Sequence, residues 1–298
     1  MSNRIIYSII IPHHNTPVLL QRCLDSIPRK DDLEVVIVDD NSSKEIVDFE
    51  NFPGLGVKNI QIIFTKDGRG AGYARNVGLQ YARGRWILFA DSDDLFCKGF
   101  YEAISEYKEY KTDLFLFKVR SVKSTTLEPD SNRDRCINDN IDKCLKSKIT
   151  PKELAISYSP PWGKMISSDL IRSKSICFDE IPRANDVMFS VKIACYSKKI
   201  TIVNKFLYTM TTREGSLASD TNKNEKNYLY RLNIKIRRNQ FLTENGEKPY
   251  FLLTEIFQAK EFGILTVFKT IRALLLNKML FVGLGNYIVY LWNRKHDE

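Results

Sequence analysis

The sequence predicts an α/β protein, a Rossmann-like open sheet followed by a mostly α-helical C-terminal extension. Short apolar runs rich in β-branched and aromatic residues alternate with helical patterns as far as about residue 215. Longer amphipathic stretches without strand signals follow beyond Asn222. The chain has 298 residues, 43% of them hydrophobic, which is enough for two domains with their own cores. We therefore expect domains at 1–220 and 221–298.

The strands of the first domain are predicted from short apolar runs of the kind that buried parallel strands use. They lie at Ile5–Ile11, Leu33–Val38, Ile60–Phe64, Trp86–Ala90, Leu114–Val122, Ile200–Val203 and Phe206–Thr211. Helical periodicity places helices at Val18–Ile27, Ala71–Ala82, Lys98–Lys111 and Ala184–Ser197. Strands that alternate with helices in this way predict right-handed crossovers. The polar stretch Ser124–Asp142 shows neither pattern, and we expect it to run over the surface.

The excess of positive charge is concentrated in the C-terminal part of the chain. The whole chain carries a formal charge of +9, and residues 222–298 hold 13 Lys or Arg against 7 Asp or Glu, a net +6. The last apolar stretch, Met279–Trp292, is too short to cross about 30 Å of hydrocarbon. Two alternatives stay open for this region: it lies on a membrane surface, or it packs against the first domain or a second subunit.

Cysteine spacing and the N-terminus predict a cytoplasmic protein. The six cysteines are widely spaced, so neither a zinc site nor a redox motif is indicated, and we expect reduced thiols. Residues 1–11 have no long apolar segment or cleavage site of a signal peptide. Peripheral attachment to the inner face of the membrane is the accompanying alternative. A nucleic-acid-binding module is disfavoured, because the C-terminal basic residues are interleaved with acidic ones and with long apolar faces.

Polar residues follow three of the predicted strands. The segments are Pro12–Asn15, Asp39–Ser42 and Asp91–Asp94. The carboxyl ends of parallel strands meet at one edge of a sheet, where ligands bind, so we expect these segments to surround one crevice. Clustered carboxylates repel one another, and Asp91-Ser92-Asp93 therefore indicates a hard divalent cation with oxygen ligands.

A glycine-rich segment precedes the second helix. Gly68–Gly72 would let the backbone approach a phosphate, but it lacks the third glycine of a dinucleotide fingerprint and does not follow the first strand, which disfavours a dehydrogenase. Arg75 lies just after it, and a guanidinium near the start of a helix suits a diphosphate.

Four segments in this order, SIIIPHHN, VVIVDDNS, GAGYARNVGL and ILFADSDD, resemble the family 2 glycosyltransferases of the GT-A fold over about residues 5–215. The resemblance implies inverting transfer of a sugar from a nucleotide diphosphate sugar, a UDP-sugar, to an acceptor hydroxyl. It implies Mn or Mg as cofactor. The acceptor it implies is a sugar or a lipid-linked molecule in the synthesis of bacterial surface polysaccharide or lipid-linked oligosaccharide.

The resemblance also implies roles for the residues that match its motifs. Pro12, His14 and Asp40 would frame the nucleotide base, and Arg75 would lie near the donor. His14 stands where many relatives have Tyr, and an imidazole can also stack on a base. As an alternative, His14 is a strand-end histidine that pairs with a neighbouring carboxylate. In the D-x-D segment, Asp91 would face the ribose and share the metal with Asp93.

Later segments complete the implied site. Asp186 matches the carboxylate that deprotonates the acceptor, and Asn185 replaces the first member of the usual acidic pair. As an alternative, Asp186 only stabilises the start of a helix. Trp162 and Lys164, in the segment PPWGK, would contact substrate. The alternative for Trp162 is a core anchor, and the same ambiguity holds for Lys164. Arg213, in the segment REGS, would close over the donor phosphates.

Two further functions are compatible with such a sheet. A nucleotidyltransferase that makes activated sugars would release pyrophosphate, but Pro12–Pro17 has neither the glycines nor the Lys of its activating loop. A scaffold that has lost activity is disfavoured because the D-x-D segment and Asp186 are both intact.

Overall fold

The parallel part of the sheet is formed by four segments that are almost entirely apolar. The computed structural model describes residues 4–130, 133–213, 224–285 and 287. The four strands are β1 (Tyr7–His13), β2 (Leu33–Asp40), β3 (Ile60–Thr65) and β4 (Trp86–Phe89). Every residue of β1, β2 and β4 is buried, as in parallel strands covered on both faces. The four predicted strands are confirmed.

The sheet continues beyond β4 with antiparallel pairs. The additional strands are β5 (Leu95–Phe96), β6 (Leu114–Lys123), β7 (Lys164–Ser167) and β8 (Ile200–Thr212). The order across the sheet is β3-β2-β1-β4-β7-β6-β8-β5. Strand β7 is antiparallel to β4 and β6, whereas β8 is parallel to β6. The two late strand-like runs are one strand, β8, whose register against β6 shifts around Lys118, an irregularity typical of a bulge.

Seven helices are described in the part of the chain that contains this sheet. They are α1 (Pro17–Asp25), α2 (Ala71–Tyr81), α3 (Phe100–Ser105), α4 (Arg133–Leu145), α5 (Pro151–Ser157), α6 (Ser168–Ser173) and α7 (Val187–Tyr196). Helix α5 begins with a capping box in which Thr150 and Glu153 satisfy each other's backbone donors. Helix α3 is shorter than the predicted Lys98–Lys111, because Tyr107 and Tyr110 turn away from the helix and pack against Phe115.

The second half of Ser124–Asp142, the stretch that the sequence predicts to run over the surface, forms most of helix α4. This helix packs on β6. The Asn138 side chain accepts from the Val119 N–H (3.1 Å) and donates to the Val119 carbonyl (2.9 Å). Lys118 forms an ion pair with Asp142 (2.7 Å), and Ile141 is completely buried. The polar composition therefore reflects pairing with the edge of a strand, which helical periodicity does not reveal.

An aromatic cluster holds the segment before α7 against the sheet. The rings of Phe178 and Phe189 stack at 3.8 Å, and both contact Phe89 of β4 edge-on. Gly72 of α2 lies against the same segment, where a Cβ would stand 2.2 Å from the Asp179 carbonyl oxygen. Strand β4, helix α2 and the start of α7 are thereby held at short range from one another.

The chain divides into two units, Met1–Ser219 and Asp220–Glu298, which are described separately. The second unit contains helices α8 (Glu225–Glu244), α9 (Glu255–Ala259) and α10 (Ile264–Leu276). Its small core consists of Tyr228, Leu232, Ile236, Leu252, Ala259, Leu274 and Met279. No helix among the described residues has the length and hydropathy needed to cross a bilayer. In the predicted apolar stretch Met279–Trp292, residue 286 and residues 288–292 lie outside the described residues.

Candidate active site

A buried histidine and carboxylate join the ends of β1 and β2. His13 and Asp39 lie opposite each other in the parallel register, and His13 Nδ1 is 2.7 Å from Asp39 Oδ2. The backbone N–H of Thr16 donates to His13 Nε2, so the proton lies on Nδ1 and the imidazole donates to Asp39. Burial alone raises the pKa of Asp39, but hydrogen bonds from His13 and Ser42 outweigh it and leave this pKa below its ordinary value.

The predicted base-binding residues stand on this joined pair of strand ends. Pro12 is buried within β1 opposite Val38. His14 is exposed, and its Nδ1 lies 2.9 Å from the Asp40 carbonyl oxygen while its Nε2 lies 2.9 Å from the Asn15 side-chain nitrogen. The ring is thus held between two strand-end loops. Its pairing is with a backbone carbonyl rather than a carboxylate.

Asp40 organises the glycine-rich loop. Its Oδ1 accepts from Thr65 Oγ1 (3.0 Å) and from the Arg69 N–H (3.3 Å), and its Oδ2 accepts from the Gly70 N–H (2.5 Å). Gly70 has φ +91°, which favours glycine. Two backbone donors that the sequence suggested for a phosphate therefore serve the Asp40 carboxylate.

Arg75 connects helix α2 to the acidic strand end and to the segment before α7. Its guanidinium donates to Asp91 Oδ1 (2.5 Å) and to Asn185 Oδ1 (3.0 Å), and it lies over the Phe178 ring at 5.3 Å. The Arg75 side chain is buried. Asn185, which replaces the first member of the acidic pair, is therefore a hydrogen-bond partner of this arginine.

The acidic segment after β4 is tied to β8. Tyr208 Oη donates to Asp94 Oδ2 (2.8 Å) and accepts from the Asp91 N–H (2.9 Å). Burial, reinforced by Asp91 and Asp93, raises the pKa of Asp94 well above its ordinary value. Burial and Asp91 also raise the pKa of Asp93, which Arg213 and Arg22 partly offset. Burial is the largest cause of both shifts.

Arg213 reaches the same cluster from the end of β8, with its Nε 3.3 Å from Asp93 Oδ2. The neighbouring Glu214, Gly215 and Ser216 lie outside the described residues. On the other side, the hydroxyls of Thr16 and Ser92 are 3.1 Å apart, which places the loop after β1 against the acidic segment.

This cluster suits a divalent cation that protein and substrate would hold together, rather than one held by protein side chains alone. In the described part of the chain, no three His, Cys, Asp or Glu side chains are grouped so as to hold a metal ion. The raised pKa of Asp93 nevertheless indicates a carboxylate that a nearby cation would stabilise. A hard cation held by Asp93 and Asp91 would take its other oxygen ligands from phosphate and water.

Asp186 occupies the position before the first residue of α7, yet its side chain makes no capping hydrogen bond. The carboxylate is half-buried. Burial raises its pKa, Asp91 raises it further, and Arg75 and Lys164 oppose the shift. These four side chains therefore share one electrostatic environment. Of these, Arg75 and Asp91 are residues that the sequence predicts for the donor site, and Lys164 is one that it predicts to contact substrate.

Trp162 and Lys164 lie inside the wall of this site. The Trp162 ring is 7% exposed and stacks on Tyr208 at 5.3 Å. Lys164 is 2% exposed, and its ammonium donates to the Tyr158 carbonyl and to Ser190 Oγ (3.0 Å). Burial lowers the pKa of Lys164 to about 7 although Asp186 opposes the shift. Contact of either side chain with substrate stays a prediction.

Several residues that organise the site were given no individual role from the sequence, although three of them lie in the polar segments that follow the first two predicted strands. They are Arg22, His13, Asp39, Ser42, Tyr208 and Thr211. The pairing of His13 with Asp39 could have been anticipated from the parallel register of β1 and β2. No local pattern indicates Tyr208, because its partners are more than 110 positions away.

The mixed sheet, with its polar residues at the ends of β1, β2 and β4, defines the GT-A class of nucleotide-sugar transferase folds. The chain belongs to glycosyl transferase family 2, whose family model matches residues 8–158.

Two curated relatives show the extent of the similarity. Poly(ribitol-phosphate) beta-N-acetylglucosaminyltransferase TarS of Staphylococcus aureus is 28% identical over 220 residues, covering 70% of this chain and 36% of the relative. Poly(ribitol-phosphate) beta-glucosyltransferase of Bacillus spizizenii is 27% identical over 219 residues, covering 70% and 32%. The chain thus spans about a third of the length of these relatives.

A solved structure supports the same fold. The crystal structure of S. aureus TarS 1–349 in complex with UDP-GlcNAc superposes with a TM-score of 0.60 at 23% identity, covering 81% of this chain and 71% of that chain. This likeness establishes the GT-A fold.

Proposed function

We propose that this chain is an inverting glycosyltransferase that moves a sugar from a UDP-sugar to an acceptor hydroxyl. The observation that carries the proposal is the arrangement around Arg75, which binds Asp91 directly and Asn185 directly, one residue before Asp186. A carboxylate that makes no capping hydrogen bond to its helix is thereby held near the acidic strand end, where the family's donor diphosphate would lie. A base and a donor site are needed side by side for this reaction.

The donor is proposed to lie across the ends of β1, β2 and β4. His14 presents an exposed imidazole that can stack on a base, above the Pro12 and Asp40 strand ends. Asp91, one-third exposed, faces the ribose. The similar TarS structure contains UDP-GlcNAc, which supports a UDP-sugar as donor.

Asp93, assisted by Asp91, is proposed to hold Mn or Mg against the donor diphosphate. When bound, such an ion supplies Lewis-acid stabilisation of the negative charge that develops on the leaving group. Arg213 lies beside Asp93 and would add a second positive charge at the same place. Arg75 contributes by fixing the orientation of Asp91.

The chemical step is an in-line displacement at the anomeric carbon. The acceptor oxygen forms a bond to that carbon while the bond to the diphosphate oxygen breaks, and the electron pair leaves with UDP. Asp186 takes the acceptor proton. Its raised pKa makes it a stronger base than an ordinary Asp, provided that it is ionised at the working pH.

Trp162 and Lys164 are proposed to shape the substrate side of the site from within its wall. Trp162 supports Tyr208, which holds Asp91 and Asp94. The acceptor is proposed to be a growing surface polysaccharide or a lipid-linked oligosaccharide. Of these two acceptor classes, the similarity to two poly(ribitol-phosphate) glycosyltransferases favours a surface polymer, one with phosphodiester linkages.

The test is a panel of UDP-, GDP- and TDP-sugars with Mn and with short polyol-phosphate or oligosaccharide acceptors. Release of UDP, with a glycosylated acceptor seen by mass spectrometry, is the expected result. Pyrophosphate formation would instead identify a nucleotidyltransferase. Absence of donor turnover across the whole panel would contradict the proposal.

A further inference from the structure

Helix α10 is apolar on two sides, and the core of its unit uses one of them. Thr266, Thr270 and Leu274 point inward and are buried. At 100° per residue the opposite side carries large apolar side chains that are between 55% and 71% exposed. They are Ile264, Leu265, Phe268, Leu275 and Leu276.

Two further large apolar side chains, one before and one after α10 in the chain, are also exposed. Phe257 is 65% exposed and Phe281 is 68% exposed. We call these two residues and the five on α10 the apolar face. Single exposed apolar side chains are common, but a group of this size on neighbouring turns marks an interaction surface.

The apolar face has a basic border. Between Phe257 and Gly285 the chain has four basic residues, Lys260, Lys269, Arg272 and Lys278, and a single acidic residue, Glu261. All four basic side chains are exposed. Lys269 forms an ion pair with Glu225 (2.7 Å). Arg272 lies one turn after Phe268, among the apolar side chains, and Lys260 and Lys278 lie before and after the helix. We call these four residues the basic border.

We propose that the apolar face lies on the surface of an anionic lipid bilayer, with α10 parallel to that surface. Phe268 and its apolar neighbours enter the boundary between headgroups and acyl chains, and Arg272 and Lys278 meet lipid phosphates. An amphipathic helix with basic residues beside its apolar side is built for such contact. The 13 residues of α10 span about 20 Å, too short to cross the hydrocarbon.

Charge decides between a bilayer and a second copy of the chain. A two-fold interface through the apolar face would bring two identical basic borders together, with one Glu261 from each copy to offset them. Such repulsion opposes self-association, whereas the same border is attracted to anionic headgroups. The bilayer is therefore the occupant that the observations favour.

Flotation of the full chain with vesicles tests the proposal, using phosphatidylcholine with or without phosphatidylglycerol and no nucleotide. Binding to the anionic vesicles, weakened by salt, is expected. Phe268→Glu should bind the anionic vesicles at least about tenfold more weakly than the unaltered chain, because an apolar contact is replaced by a repelled charge. Arg272→Gln combined with Lys278→Gln should lose about tenfold on anionic vesicles.

Matched controls come from the end of helix α4 and the residue that follows it, in the other unit. Leu145→Glu changes an exposed apolar residue, and Lys143→Gln with Lys146→Gln removes two exposed charges, so both should float like the unaltered chain. Failure of the unaltered chain to bind anionic vesicles overturns the proposal, as does equal binding by Phe268→Glu. A dimer in light scattering that Phe268→Glu dissociates, without vesicle binding, would identify a second copy as occupant and also overturn it. Because no donor is present, these outcomes are independent of sugar transfer.

Discussion

Arg75 and Asp91 form an ion pair in which the guanidinium is 6% exposed and the carboxylate 33% exposed. One oxygen of Asp91 is committed to this pair at 2.5 Å, while the carboxylate still reaches solvent. The same guanidinium contacts Asn185, the neighbour of Asp186. One buried side chain thus relates the proposed donor site to the proposed base.

The proposed base is tested by Asp186→Asn. The amide keeps the shape of the side chain but cannot accept the acceptor proton, so the rate of transfer should fall by about 100-fold or more with little change in thermal stability. Steady-state kinetics with saturating donor and acceptor measure this loss. Asp169→Asn, an exposed acidic residue in the first turn of α6, is the matched control and should retain full activity. Near-normal turnover by Asp186→Asn would eliminate this residue as the base.

The electrostatic link between Arg75 and Asp186 predicts a shift in the pH dependence of the rate. Arg75 is the main influence that lowers the raised pKa of Asp186. Replacing Arg75 with Gln removes a positive charge, so this pKa should rise and the acidic limb of kcat should move to higher pH. The variant should also lose about tenfold in kcat/KM at neutral pH, because Asp91 loses its partner. The matched control is Arg83→Gln, which changes an exposed arginine paired with Glu34 and should leave the acidic limb of the pH profile in place. An unmoved limb in Arg75→Gln would contradict the link.

The metal assignment is tested by Asp93→Ala. Mn with UDP should raise the melting temperature of the unaltered chain by several degrees, because a ligand that binds only the folded state stabilises it. Removing Asp93 should abolish the Mn-dependent part of this shift and lower donor turnover, and EDTA should then have no further effect. The matched control is Asp25→Asn at an exposed position on α1. Equal Mn dependence in Asp93→Ala would show that the ion is held elsewhere.

The buried pair of His13 and Asp39 predicts a pH-dependent stability. The pKa of Asp39 in the folded chain lies below its ordinary value of 3.8, so the unfolded chain binds this proton more tightly. The stabilisation is therefore present above about pH 4 and is lost as the pH falls through the lowered value. Asp39→Asn should reduce the free energy of unfolding by about 2 kcal/mol at neutral pH. The difference from the unaltered chain should shrink in urea titrations at about pH 3. A difference that is constant with pH would rule out the charge of Asp39 as its cause.

Much of the fold could be predicted because its strands differ so clearly from its helices in composition. The runs IIYSIII, LEVVIV and WILFA contain too many β-branched and aromatic residues in too short a span for buried helices. Polar residues directly after such runs then indicate the edge where a site lies. Helix α4 was missed because its polar residues pair with the edge of β6, for which periodicity has no signal.

The site was harder to predict than the sheet. Of the adjacent His13 and His14, strand alternation does not say which pairs with a carboxylate, and the choice depends on the register of β1 against β2. Trp162 and Lys164 could be placed near the site by order along the chain, but their burial depends on Tyr208 and Ser190, which arrive from β8 and α7. Long-range packing of this kind leaves no local trace.

The hydrogen bonds from Arg69 and Gly70 to Asp40 mean that the loop before α2 is held in shape by contacts within the chain itself. Ordering that loop is a cost met during folding of the chain, so little of the affinity for an incoming molecule is lost to it. We expect encounter at this edge to resemble docking onto a rigid body, with rates that depend on diffusion and charge more than on rearrangement.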